Sequence, residues 1–125
     1  MMNYKEFKRA AILEDARNVF GCSLGVNSIP VSICEFYANF NPIDVEVTYP
    51  DLGAVRFYPI EKCEEIKKDY ELEKEDFVFA TCNGDPIFLK NNQVYISLPE
   101  VYSPELLATS FELFLDMYIK YRYDK

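Results

Sequence analysis

Phe77 to Cys82 is apolar at almost every position and runs into Asn83-Gly84, after which Pro86 to Lys90 returns with the same character. An Asn-Gly pair between two strand-like runs is the strongest short hairpin signal in a sequence, because the two-residue primed turn needs positive φ twice. A strand that is apolar on alternate and intervening positions alike must be covered on both faces, so Phe77–Cys82 is expected at the centre of a sheet. A second turn at Asn91-Asn92 leads into Val94–Leu98 and completes a three-stranded meander.

The remaining periodicities place other elements around this hairpin. From Ile43 the apolar residues Val45, Val47 and Tyr49 alternate with Asp44, Glu46 and Thr48, as in a strand with one wet face. Pro50, Asp51 and Gly53 form a turn, Ala54–Tyr58 is the returning strand, and Pro59 stops it. Glu61–Tyr70 reads as a short acidic helix whose inward stripe is Ile60, Cys63, Ile66, Lys67 and Tyr70. Residues 3–20 read as one helix, with Phe7, Ala11, Ile12, Ala16, Val19 and Phe20 on a broad face, ending at Gly21. A loop to Pro30, anchored by Leu24, Val26 and Ile29, precedes a second helix that ends near Asn39–Pro42. Ser32 and Glu35 have capping-box spacing there. Ser103, Pro104 and Glu105 are expected to open a C-terminal helix with the core stripe Leu107, Phe111, Phe114, Leu115 and Tyr118. The sum is an α+β fold over residues 1–125 as a single domain. It has a mainly antiparallel sheet of about five strands, helices at both termini and one short helix between strands.

Charge and residue types narrow the function. Among 125 residues, 21 Asp and Glu oppose 13 Lys and Arg, a net charge of -8 that repels phosphate backbones, so no direct nucleic-acid ligand is expected. Histidine is absent, which removes the commonest general base and the Ser-His and Cys-His nucleophile systems. Gly21-Cys22-Ser23-Leu24-Gly25 matches the nucleophile-elbow pattern, but the expected helix before it and the missing histidine argue for a plain loop. Four glycines form no phosphate-cradling motif, and a glycosidase-like carboxylate pair has no positive support. Cys22, Cys34, Cys63 and Cys82 are widely and unequally spaced, so they are expected to be small buried hydrophobes with free thiols and to seed no metal site. No signal-peptide core or membrane span is legible, so a cytoplasmic protein is expected, without catalytic residues, cofactor or metal.

The densest charge lies between Glu61 and Asp76, where Glu64, Glu65, Asp69, Glu71, Glu73 and Glu75 face only Lys62, Lys67, Lys68 and Lys74. Immediately before a central strand, such charge is either a solvated surface with local lysine pairs or a preorganised dock for a basic partner. Asp85, after the Asn83-Gly84 turn, is expected to orient that turn by bonding its backbone, with recognition as the other role. Tyr49, Phe57 and Tyr58 on the first hairpin are the alternative partner surface.

Phe77-Val78-Phe79-Ala80-Thr81-Cys82-Asn83-Gly84-Asp85-Pro86-Ile87-Phe88 resembles the central hairpin of the SUKH superfamily, in which an apolar strand ending in Phe-Ala precedes a small-residue turn with Gly-Asp. Leu24-Gly25, Ile29-Pro30 and an apolar helix ending at Phe40-Asn41 are similar to the way such domains begin. Ser110-Phe111 and Phe114-Leu115 match positions of their last helix, so the resemblance spans about residues 20 to 118. It implies an α+β fold without catalysis, and either a bacterial immunity protein that neutralises a cognate toxin, often a nuclease, or a regulatory or scaffold domain without a toxin partner. A basic toxin domain is the implied partner in the first case, and the acidic charge here has the complementary sign.

Overall fold

The computed structural model describes residues 4–23, 30–101 and 103–123, the side chain of Ser32 excepted. Its centre is the expected hairpin. Strands β4 (Phe77–Cys82) and β5 (Asp85–Lys90) pair antiparallel through Cys82 and Asp85, with Asn83 at φ 53° and Gly84 at φ 84° between them. Asn91 and Asn92, at φ 53° and 65°, turn the chain again into β6 (Gln93–Ile96). β4 is buried at five of its six positions, as a strand covered on both faces must be.

Upstream, β2 (Asn41–Tyr49) buries Val45, Val47 and Tyr49 and exposes Asp44, Glu46 and Thr48, then turns through Asp51 and Gly53 into β3 (Gly53–Phe57). Among the described residues the sheet has seven strands in sequence order, every neighbouring pair antiparallel. The two strands beyond the expected five are at its edges, where sequence periodicity reads as helix.

At the first edge, helix α1 spans Tyr4–Glu14 only, and β1 (Val19–Gly21) pairs with β2. The expected helix over 3–20 therefore ends early, for a local reason. The Asp15 carboxylate accepts the Arg17 amide at 2.9 Å, forming a turn that competes with helix continuation. Buried Asn18 then donates its Nδ2 to the Ala11 carbonyl at 2.8 Å and accepts the Glu46 amide at 2.9 Å, capping the helix and tying its end to β2.

At the other edge, Glu105–Ala108 is strand β7 beside β6, not the first turn of a helix. The last helix, α4 (Phe111–Tyr123), starts after Ser110, whose Oγ accepts the Leu113 amide at 3.0 Å. Ser103-Pro104-Glu105 carries the same cap signature as a true start, but Ser110 has the cap and Leu106 is left 48 % exposed on the edge strand. The second helix opens as a 3-10 turn, Val31–Ile33, before α2 (Cys34–Phe40), with Pro30 and Ile33 rather than the expected Ser32 at the two N-cap positions; the Ser32 side chain and the expected loop anchors Leu24, Val26 and Ile29 lie outside the described residues. Helix α3 spans Ile60–Lys67 and packs on β4.

One aromatic-rich core joins these elements. Phe7 meets Phe57 edge-on at 5.1 Å and Tyr118 at 5.6 Å, while Tyr49 stacks on Phe114 at 4.5 Å. Each fully buried ring stabilises the fold by about 1.5–3 kcal/mol, and favourable ring geometry adds about 0.5–1.5 kcal/mol per pair. The hydroxyls stay satisfied: Tyr49 donates to the Phe114 carbonyl at 2.9 Å, and Tyr118 to the Ala10 carbonyl and Glu14 Oε1 at 3.1 and 2.8 Å. Of the four thiols, Cys63 and Cys82 are buried, whereas Cys22 and Cys34 are exposed and so do not fit the expectation of four small core hydrophobes.

Candidate functional site

The acidic run from Glu61 to Asp76 is fixed to the sheet, and the fastening is done by residues of several elements. α3 holds its N-terminal part against β4. After α3, the Tyr70 hydroxyl donates to the Gly84 carbonyl at 2.6 Å, at the turn of the β4–β5 hairpin. Lys90, at the far end of β5, pairs with Glu73 Oε1 at 3.0 Å. The 68–76 segment is thus tied to both ends of the hairpin. Lys67 closes it on itself by donating to the Lys74 carbonyl at 2.7 Å. Asp76, only 3 % exposed, accepts the Glu73 amide through Oδ2 at 3.1 Å. A segment tied in this way holds its charges in one arrangement before any partner arrives, which lowers the ordering cost of association.

The seven acidic candidates fall into distinct places. Glu65 and Asp69 are exposed on and just after α3. Glu64 and Glu75 line a cleft of about 360 Å³ together with Asp76, Lys67 and Lys74, while Glu71 and Asp85 line a second one of about 390 Å³ beside Tyr70 and Leu72. Glu73 is exposed but committed to Lys90. Glu61 stands apart from the displayed charge, because its carboxylate accepts Asn41 Nδ2 at 3.2 Å and the Ser23 hydroxyl at 3.4 Å. The local lysine pairing expected from sequence takes a different form: Lys67 serves a backbone carbonyl, and the lysine that neutralises an acid here comes from β5.

Asp85 does not perform the expected turn-orienting role. Among the described residues its carboxylate takes no hydrogen bond from the turn, and the Tyr70 hydroxyl holds the Gly84 carbonyl instead. The alternative aromatic surface is also corrected. Tyr49 and Phe57 are each 1 % exposed and belong to the core, while the partly exposed Tyr58 engages the Thr81 hydroxyl at 2.9 Å. Alternation placed both rings on the inner face of the first hairpin, and that signal was available in the sequence.

Ser23 is buried, follows strand β1 rather than a helix, and has Glu61 as its side-chain partner. The strand corrects one of the two reasons for setting aside the nucleophile-elbow pattern; the absent histidine is the other. Cys63 is held by the Tyr37 hydroxyl at 3.6 Å, and burial pushes its thiol up to about 12, away from thiolate chemistry.

A third cleft, of about 310 Å³, lies beside β2 and is lined by Glu14, Asp15, Arg17, Asp44, Glu46 and Arg56 among others. Its charges are largely matched: Arg17 bonds Asp15 and holds that carboxyl down at about 2, Arg56 reaches Asp44 at 2.9 Å and Glu46 at 3.4 Å, and Glu14 accepts both the amide and hydroxyl of Thr48. No group of acids and thiols among the described residues is arranged to hold a metal ion, and no helix among them is long and apolar enough to cross a membrane. In comparisons with known proteins, no protein-family model matches the chain, and no curated protein or solved structure is significantly similar to it.

Proposed function

We propose that the protein is a non-catalytic binding domain that docks a basic protein through the acidic face of α3 and the 68–76 segment, in the manner of the SUKH immunity proteins its hairpin resembles. The observation that supports this best is the fastening of that segment by Tyr70, Lys67, Asp76 and Lys90, which leaves Glu64, Glu65, Asp69, Glu71 and Glu75 exposed. Preorganised charge of one sign steers an oppositely charged partner and accelerates encounter. A toxin domain that binds nucleic acid is basic at its working surface, so the same field serves to attract and to cover it.

The test is affinity capture from cells that encode the protein, with Glu65→Lys/Asp69→Lys/Glu71→Lys as control bait. Any captured protein is then expressed alone and together with this chain. The expected partner is basic, is lost from the charge-reversed bait, and arrests growth alone but not in company. A basic partner that is harmless alone assigns the regulatory or scaffold role instead. An acidic partner held equally by both baits contradicts docking through this face.

A further inference from the structure

The cleft between α3 and the start of β4 contains a feature that the fold alone does not use. Asp76 is 3 % exposed, and while its Oδ2 accepts the Glu73 amide, Oδ1 has no hydrogen-bond partner. A buried carboxylate oxygen without a donor is costly and persists where a donor is supplied from elsewhere. Asp76 lines the cleft of about 360 Å³, with the exposed carboxylates of Glu64 and Glu75 beside it. Pro30, Cys63, Phe77 and Val78 add apolar wall. Of the two lysines in the lining, Lys67 is committed to the Lys74 carbonyl at 2.7 Å; the lining therefore has three carboxylates against two ammonium groups. Lys90 is nearby but bonds Glu73.

We infer that this cleft receives one arginine side chain of the protein partner, with Asp76 Oδ1 as the inner acceptor and Glu64 and Glu75 as acceptors beside it. This rests on the protein-docking function proposed above and names the group recognised. A guanidinium suits the site better than an ammonium, because it is more weakly hydrated, donates through a planar fork, and lays its stem and faces on apolar wall. The volume is at the small end of ligand sites, which run from about 300 to 1,000 Å³, and fits a single side chain.

The experiment is an amide-resonance titration of the full chain with N-acetyl-arginine amide and, separately, with its uncharged counterpart N-acetyl-citrulline amide. The expected result is a saturable shift at residues 63–67 and 75–78 with arginine and about tenfold weaker binding of citrulline, the loss of a charge-assisted bond. Asp76→Asn, which keeps an acceptor for the Glu73 amide, is expected to weaken the arginine probe about tenfold. Glu64→Gln/Glu75→Gln, at exposed positions, provides a second variant that leaves the Asp76 turn intact and is expected to weaken it as well. Arginine shifts that miss the cleft, equal binding of citrulline, or full binding by both variants would overturn the assignment. Partner association measured in parallel separates the two claims. If the probe fails while Glu65→Lys/Asp69→Lys/Glu71→Lys still slows the partner, the arginine site falls and the acidic dock stands; if neither matters, both fall.

Discussion

Replacing Asp76 by asparagine is expected to leave the protein at least as stable as the parent, although the residue is buried. The asparagine oxygen can still accept the Glu73 amide now 3.1 Å from Oδ2. Exchanging a charged for a neutral acceptor costs about 1 kcal/mol, the difference between bonds of about 1.5–3 and 0.5–1.5 kcal/mol. Against this, the substitution removes a buried carboxylate charge whose Oδ1 is unpaired, a penalty of about 1–3 kcal/mol. The balance is a gain of about 1 kcal/mol. For 125 residues the unfolding entropy is about 0.26 kcal/mol/K, so Tm rises by about 4 °C. Asp76→Ala keeps the charge relief but strands the Glu73 amide, and is expected about 1–2 kcal/mol below the asparagine variant. Thermal and urea melts followed by far-UV circular dichroism measure both. Destabilisation of the asparagine variant by more than about 1 kcal/mol would refute the reasoning, because it would make the charge itself a support of the fold through Lys67, Lys74 and Lys90.

Three further outcomes are expected. Gly84→Val should lower Tm by about 4–8 °C in a thermal melt, since a Cβ there has open space but a φ of 84° strains a β-branched residue by about 1–2 kcal/mol; an unchanged Tm contradicts the primed turn. Tyr118→Phe should lose about 2 kcal/mol in urea unfolding by removing the hydroxyl bonds to Ala10 and Glu14 that join α4 to α1, and a loss below about 0.5 kcal/mol contradicts that role. Burial raises the phenols of Tyr37, Tyr49 and Tyr118, so stability is full below the unfolded value of about 10 and falls as pH rises beyond it; a urea midpoint that stays level from pH 9 to about 11.5 contradicts this.

The strands legible in the sequence are those with purely local signals. Asn83-Gly84 and Asn91-Asn92 need no tertiary information to declare a turn, and the alternation through Val45, Val47 and Tyr49 sets the buried face by itself. The two edge strands were obscured because their identity depends on distant partners. Val19 and Phe20 continue the α1 period, and the helix is ended by the Asp15–Arg17 turn and by Asn18, which reaches both Ala11 and Glu46. Glu105–Ala108 follows a false cap, and its strand conformation is set by pairing with β6. For the candidate site, composition gave the acidic run but not its internal differences. Glu61 and Glu73 are engaged by side chains 17 to 38 residues away in sequence, and Asp76 is buried. The fastening residues Tyr70 and Lys90 carry no motif that announces their reach.

The central claim is that fixed charge on α3 and the 68–76 segment draws in a basic partner, and association kinetics test it most directly. The rate constant for the captured partner is measured by stopped flow, from low to physiological salt, for the parent and for Glu65→Lys/Asp69→Lys/Glu71→Lys, whose three positions are exposed and outside the Asp76 cleft. The account predicts that charge reversal slows association by about tenfold or more at low salt and flattens the salt dependence, with Tm nearly unchanged. Association that is equally fast in both proteins, and equally indifferent to salt, would contradict it.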